Sequence, residues 1–163
     1  MTIYTMGYEG FTADAFIARL KLAGVSTVID VRELPLSRKR GFSKNAFSAL
    51  LGTAGIAYAH MPVLGCPRPV RNRYKADGDW AAYTKAFEDY LATQDASVRE
   101  LGQMARTTAS CLVCFEADFN RCHRSMVGRA AAAVSRQRLV HLTARTAIPD
   151  VSARALSAAG RSG

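Results

Sequence analysis

The sequence predicts an open α/β sheet, mainly parallel, with helices on both faces. Short apolar runs alternate along the chain with longer segments whose apolar residues recur every three or four positions, as expected of strands followed by amphipathic helices. Residues 25–31 are β-branched or apolar almost throughout, which is typical of a strand buried on both faces of a parallel sheet. Hydrophobic residues make up 49% of the 163 positions, which is enough to build a hydrophobic core.

Each predicted element carries a local signal for its start or its end. Residues 3–6 form the first strand, and Thr12 caps a helix that ends at Gly24. Ser43 caps the helix that follows the second strand. Aromatic and apolar residues at three- and four-residue steps between residues 80 and 107 predict two helices with a buried face. The other predicted segments are a strand over 56–61, a loop over 64–74, a strand over 110–115, a helix over 122–135 and a last strand over 139–142.

The pattern predicts one α/β domain over residues 1–146, followed by a tail over residues 147–163 that is rich in Ala, Ser, Arg and Gly and frays or forms a short helix. No apolar run approaches the roughly 20 residues of a membrane helix, and the first residues lack a secretory signal. We therefore expect a cytoplasmic protein without a membrane partner, in which the four cysteines are free thiols.

The charge of the chain indicates an anionic partner. Lys and Arg outnumber Asp and Glu by 22 to 13, a formal net charge of +9. Such an excess favours a phosphate-bearing ligand, either a nucleotide or DNA or RNA, although solubility alone can also account for it. The glycine-rich loops of dinucleotide-binding and P-loop proteins are missing from the sequence, which disfavours both classes.

Polar residues follow four of the predicted strands, at the sheet edge where ligands bind in open α/β folds. Tyr8 follows the first strand, and Asp30 and Arg32 end the second. Gly65 and Arg71 belong to the loop after the third strand. We expect these segments to meet in one crevice with the densest group, which follows the fourth strand and consists of Cys114, Glu116, Cys122, His123 and Arg124.

Asn120 is a plausible helix cap, which would place residues 122–124 in the first turn of a helix. Free backbone N–H groups and the positive end of the helix dipole favour a bound phosphate or a thiolate there. The alternative is structural: Cys122 is buried, and His123 contacts a backbone carbonyl.

Several of these side chains suit catalysis. Cys114 and Glu116 share one face of the strand, whereas Cys111 points the other way and is a core residue. Glu116 and Asp30 are candidates for general acid and base, and either Cys114 or Cys122 for the nucleophile.

A zinc site would use Cys114, Cys122 and His123, with Glu116 as a further ligand. Adjacent Cys and His residues in one helical turn point in different directions, however, and a full set of four ligands is not found. The sequence therefore predicts neither a metal nor a cofactor.

A basic segment over residues 36–44 has the composition of a phosphate-binding loop. It carries four cationic side chains, with Ser, Gly and one aromatic residue between them. Ser37, Arg38 and Lys44 are its candidate anion contacts, and residues 68–75 would extend the basic rim. The alternative is a solvated charged face.

Separated motifs occur in order along most of the chain. They are Tyr4-Thr5-Met6-Gly7-Tyr8, Asp30-Val31-Arg32, Pro35-Leu36-Ser37-Arg38, Gly41-Phe42-Ser43-Lys44, Leu64-Gly65 with Pro67 and Arg71, Cys114-Phe115-Glu116, and Cys122-His123-Arg124-Ser125. Together these motifs resemble the domain-of-unknown-function 488 family. The resemblance implies a Rossmann-like three-layer α/β fold and points to the same candidate site residues, but it implies no biochemical activity. Cys66 stands where the pattern favours Thr or another small residue.

Three functional hypotheses follow. The first is an enzyme that acts on a nucleotide or nucleic acid, with Arg32 and Arg124 holding the anion. The second is a noncatalytic nucleic-acid-binding module, and the third is a thiol or metal sensor. The first is favoured because carboxylates and thiols accompany the arginines, whereas a protein that only binds the phosphate backbone needs cations alone.

Overall fold

The computed structural model describes residues 1–151, and the chain forms a six-stranded sheet between two layers of helices. The strands are β1 (Thr2–Gly7), β2 (Thr27–Asp30), β3 (Ala57–His60), β4 (Ser110–Cys114), β5 (Arg138–Leu142) and β6 (Ala147–Pro149). The helices are α1 (Ala13–Leu22), α2 (Lys44–Thr53), α3 (Arg68–Asp77), α4 (Trp80–Ala92), α5 (Asp95–Thr107) and α6 (His123–Ser135). The strand order is β3-β2-β4-β1-β5-β6, and all neighbours are parallel except β5 and β6. The predicted three-layer α/β fold is confirmed.

The two faces of the sheet have separate cores. Phe87 of α4, Leu101 of α5 and Val127 of α6 pack against one face. Phe16 of α1 and Phe47 of α2 pack against the other. The aromatic periodicity of α4 is therefore a core feature, because its aromatic stripe faces the sheet.

The strand register fixes the edge at which the candidate residues gather. β1, β2 and β4 are parallel neighbours, so their carboxyl ends lie side by side. Gly7 is paired with Cys114, and Asp30 with Val113. Because successive side chains alternate between faces, Asp30 and Cys114 point to opposite sides of the sheet.

The prediction of a loop over residues 64–74 is wrong. A short 3-10 turn over Pro62–Leu64 leads into α3, which starts directly after Pro67. Proline is tolerated in a first helical turn, where its missing N–H would have no partner. Tyr74 then packs edge-on against Trp80, and α3 ends at Gly78, whose φ of +64° suits glycine.

Other boundaries also differ from the predictions. Asn120 does not cap α6, because it lies in a 3-10 turn capped by the Asp118 side chain, and Cys122 occupies the N-cap position. Ser43 stands at the N-cap of α2 without capping it, since its hydroxyl bonds the backbone of Ser37. The strand ending at Leu142 is not the last, because β6 pairs with it.

Part of the predicted C-terminal tail is thus a strand, and its residues 152–163 lie outside the described residues. Among residues 1–151, no helix has the length and apolar character needed to cross a membrane.

Candidate active site

Two thiols and a carboxylate converge between the end of β4 and the start of α6. The Sγ atoms of Cys114 and Cys122 lie 2.6 Å apart. Both thiols are within hydrogen-bond distance of Glu116 Oε2, at 3.4 Å for Cys114 and 3.3 Å for Cys122. The sulfurs are buried, with exposed fractions of 1% and 2%, whereas Glu116 is exposed. The carboxylate therefore connects a buried dithiol with solvent.

Arg124 anchors this arrangement from within the core. Its side chain is fully buried, and its Nη1 donates to Cys114 Sγ at 3.1 Å and to the carbonyl oxygen of Glu116. Its Nη2 donates to the carbonyl oxygen of Ala117 at 3.3 Å. One guanidinium thus fixes both the sulfur and the backbone that carries Glu116.

A buried relay of hydrogen bonds through Thr5, His141 and Asp150 holds the third guanidinium nitrogen of Arg124, Nε. Arg124 Nε donates to Thr5 Oγ1 at 3.2 Å, so the Thr5 hydroxyl donates in turn to Nδ1 of His141, 2.6 Å away. The other ring nitrogen, Nε2, then carries the proton and donates to Asp150 at 2.7 Å. Burial lowers the pKa of His141, which agrees with a neutral ring in this relay.

Desolvation favours the protonated form of the Cys114 thiol. Burial raises the pKa of Cys114 well above its ordinary value, and the neighbouring Cys122 raises it further, while Arg124 opposes the shift. A nucleophilic thiolate therefore requires that a proton be removed, and Glu116 is the carboxylate in contact with both sulfurs.

His123 lies beside the thiols and has a fixed orientation. Its Nε2 donates to the carbonyl oxygen of Val31 at 2.7 Å, which leaves Nδ1 as the acceptor facing Cys122 Sγ at 3.9 Å. Its ring also packs against the Phe87 ring, with the two planes inclined at 68°. The contact with a backbone carbonyl is the one expected of a structural histidine, and the same bond aims Nδ1 at a thiol.

Cys66 brings the loop after β3 into the core on the same side of the sheet as the dithiol. Its side chain belongs to the same buried cluster as Tyr83 and Met126. Burial raises the pKa of Cys66. Gly65 is needed next to it, because a Cβ at that position would lie 2.2 Å from the backbone nitrogen of Glu33.

Asp30 forms a separate cluster on the opposite face of the sheet. Its carboxylate makes a two-point bond with Arg32, at 2.8 and 2.7 Å, and accepts from the Tyr58 hydroxyl at 2.6 Å. Arg32 also donates to the Tyr8 hydroxyl and to the carbonyl oxygen of Phe42. The expectation that one crevice holds both carboxylates is therefore wrong, because strand alternation places Asp30 on the α1–α2 side and the dithiol on the α6 side.

The start of α6 is closed. His123, Arg124 and Ser125 have exposed fractions of 8%, 0% and 1%, and each side chain bonds to the protein itself. The side chains of this first turn are therefore occupied within the protein and are not contacts for a solvent anion, contrary to the expectation for residues 122–124. Arg32, 7% exposed, is likewise occupied by internal acceptors.

The basic segment over residues 36–44, which follows β2, carries exposed cations. Arg38 and Lys44 are exposed, and Ser37 shapes the loop by bonding the backbone of Lys39 and the hydroxyl of Ser43. Arg71, at the start of α3, is half-buried and lies 3.8 Å from Glu33. Both segments follow strands at their carboxyl ends, on the edge where Glu116 is exposed.

Sequence reasoning missed the relay of Thr5, His141 and Asp150. The available signal was the presence of two polar side chains within strands expected to be buried, since such groups need hydrogen-bond partners. Tyr58 was missed because its partner, Asp30, comes from a different strand.

Comparison with known proteins gives one family. No curated protein and no solved structure matches the chain at a significant level. The family model for Domain of unknown function DUF488 matches residues 12–131, a span that includes β2, β4, the dithiol and the first part of α6. The chain therefore belongs to the DUF488 family.

Proposed function

We propose that this protein is an enzyme that acts on a phosphate-bearing substrate, a nucleotide or a nucleic acid, with a cysteine thiol as nucleophile. The observation that carries the proposal is the contact of the Glu116 carboxylate with both buried thiols, at 3.3 and 3.4 Å. A nucleophile within hydrogen-bond reach of a base is the arrangement that covalent catalysis requires.

Cys122 is the nucleophile in this proposal. Cys114 donates to Glu116 and receives a hydrogen bond from Arg124, which holds its sulfur in place. Cys122 has two acceptors for its proton, Glu116 Oε2 and His123 Nδ1. Glu116 takes the thiol proton and, being exposed, can return it to a leaving group.

The phosphate is held by the exposed cations and not by the buried arginines. Arg38 and Lys44 are free of the internal bonds that occupy Arg32 and Arg124, which act as positioning residues. Arg71 and the backbone at Gly65 extend the binding edge towards β3. Long-range attraction by the net charge of +9 favours an anionic substrate.

Binding and turnover are tested separately. A labelled single-stranded RNA and ATP are titrated with the protein at low salt, and the Arg38→Gln/Lys44→Gln double variant is compared with Lys21→Gln, an exposed position at the end of α1 on the opposite edge. We expect weaker binding only in the double variant, with the salt slope reduced by about 0.7–0.9 per lost phosphate contact.

Turnover is followed by chromatography and mass spectrometry of the same probes. We expect product from the wild type and from Glu100→Gln, an exposed control on α5, and a large loss in Glu116→Gln and Cys122→Ser. Absence of binding and product at low salt would refute the proposal.

Binding without turnover would support the alternative of a nucleic-acid-binding module, which the exposed basic segment favours. The close thiol pair with a carboxylate beside it favours a third function, a thiol or metal sensor.

A further inference from the structure

We propose that Cys114 and Cys122 are an oxidative modification site that forms a reversible disulfide on exposure to a hydroperoxide. Disulfide formation itself is independent of the proposed enzymatic function. Only its consequence, loss of the nucleophilic thiol, rests on that function.

The two sulfurs already lie close to bonding distance. They are 2.6 Å apart, against about 2.0 Å for a disulfide bond, so little movement is required. Cys114 closes β4 and Cys122 stands at the N-cap of α6, so each thiol is carried by a regular element. The pair is thus formed by the packing of a strand end against a helix start.

The connecting segment is anchored in a way that preserves this approach. Arg124 bonds the carbonyl oxygens of Glu116 and Ala117, and the Ser125 hydroxyl bonds that of Phe119. These bonds run from the first turn of α6 back to the loop, so the loop and the helix hold one another. Oxidation can therefore join the sulfurs without reorganising the sheet.

The other two cysteines provide an internal contrast. The Cys66 thiol donates to the carbonyl oxygen of Pro67 at 3.6 Å, and the Cys111 thiol to that of Leu112 at 3.7 Å. Cys111 also points to the opposite face of β4 from Cys114. Oxidation should therefore be specific to one pair of the four thiols.

The chemistry balances with a hydroperoxide as the oxidant. Glu116 accepts the proton of Cys122, and the thiolate attacks the peroxide oxygen, giving a sulfenic acid and an alcohol, or water when the oxidant is hydrogen peroxide. The Cys114 thiol then attacks the sulfenic sulfur, the S–S bond forms and water leaves. The pair loses two electrons and two protons, and the peroxide receives them.

Electrostatics does not oppose the product. Burial favours the neutral form of the Cys114 thiol, and the disulfide is also neutral, so oxidation buries no additional charge beside the Glu116 carboxylate and the Arg124 guanidinium. Reduction by a dithiol reverses the reaction by thiol–disulfide exchange.

The test uses the full-length protein, reduced and then treated with one equivalent of hydrogen peroxide. Remaining thiols are alkylated and counted by intact mass, and we expect the count to fall from four to two. Trypsin cleaves after Arg106, Arg121 and Arg124, so the disulfide links peptide 107–121 to peptide 122–124. Treatment with dithiothreitol should restore four alkylated thiols.

Cysteine-to-serine variants identify the two cysteines that form the disulfide. Peptide 107–121 also contains Cys111, so Cys111→Ser must retain the cross-link, and Cys66→Ser must retain it as well. Cys114→Ser and Cys122→Ser must each abolish it. The wild-type peptide map decides the question even where a serine variant fails to fold.

Three outcomes would overturn the proposal: a thiol count that stays at four, a cross-link that includes Cys66 or Cys111, and oxidation beyond the disulfide to sulfinic acid. A further one is elemental analysis that finds a metal bound to the purified protein and blocking both thiols. Because the readout is mass and not turnover, failure of the enzymatic proposal leaves the outcome of this experiment intact.

Discussion

Replacing Gly7 by alanine should disrupt the active site through the backbone alone. Gly7 is the last residue of β1 and is paired with Cys114. An added Cβ would lie 1.8 Å from the carbonyl oxygen of Glu116 and 2.4 Å from its carbonyl carbon. The φ of Gly7 lies outside the left-handed region, so the added methyl group meets a steric obstacle and not a conformational one.

The expected loss in the free energy of unfolding depends on how far the backbone facing Gly7 has to move. β1 lies between β4 and β5 in the sheet and is held on both sides, so the segment carrying Glu116 must retreat by more than 1 Å to reach an ordinary contact distance. That retreat weakens the bonds from Arg124 to the carbonyl oxygens of Glu116 and Ala117. Overpacking costs about 1–3 kcal/mol, and each bond to a charged group about 1.5–3 kcal/mol. We expect a loss of about 3–5 kcal/mol in the free energy of unfolding.

The assay is urea denaturation followed by circular dichroism, with Gly52→Ala as the matched control. Gly52 lies in α2, where an added Cβ meets nothing within 4 Å, so alanine there should raise the free energy of unfolding by about 0.5–1 kcal/mol. A Gly7→Ala protein whose free energy of unfolding lies within about 0.5 kcal/mol of the wild-type value would refute the steric reasoning, since substitutions at unconstrained surface positions have effects of that size.

Three further predictions concern the buried groups around the site. Arg124→Lys keeps the charge but cannot reproduce the forked bonds to sulfur, hydroxyl and carbonyl, so we expect about 2–3 kcal/mol less stability in urea, and an unchanged midpoint would contradict this. The pKa of His141, measured by NMR, should lie below 6.5, because burial lowers it. As the pH falls through 6.5 the unfolded chain binds the proton first, so the free energy of unfolding declines. A titration midpoint above 6.5 would argue against the relay. Phe87→Ala should lower the free energy of unfolding by about 3–5 kcal/mol, since Phe87 is fully buried and packs against the His123 ring. Phe115 is 45% exposed, so Phe115→Ala should lower it by less than about 1 kcal/mol, and equal losses in the two variants would count against the packing argument.

The composition of the candidate site was only partly predictable. Cys114, Glu116, Cys122 and Arg124 were expected together because they follow one strand and begin one helix, and local spacing governs such contacts. Asp30 was expected with them because its strand ends at the same edge. The register of β2 against β4 places the Asp30 side chain on the other face of the sheet. The sequence of β2 alone does not reveal how that strand is paired with β4.

The roles of the charged residues depended on burial. Arg32 and Arg124 have the appearance of anion contacts in the sequence, since both stand at the ligand-binding edge. In the fold they are 7% and 0% exposed and are satisfied by internal acceptors, because a buried guanidinium must use its donors within the protein. Arg38 and Lys44 remain exposed, so their side chains have the solvent access that contact with an anion requires.

The sequence by itself determined the order of the strands and helices other than α3 and β6, the apolar faces and the mainly parallel α/β class, because hydrophobic periodicity and helix-ending glycines act over a few residues. The tertiary structure alone decided the pairing of the Cys114 and Cys122 sulfurs and the relay from Asp150 through His141 and Thr5 to Arg124. The relay joins groups more than 100 residues apart in the chain, and such a contact depends on strand order and register, which no local pattern encodes.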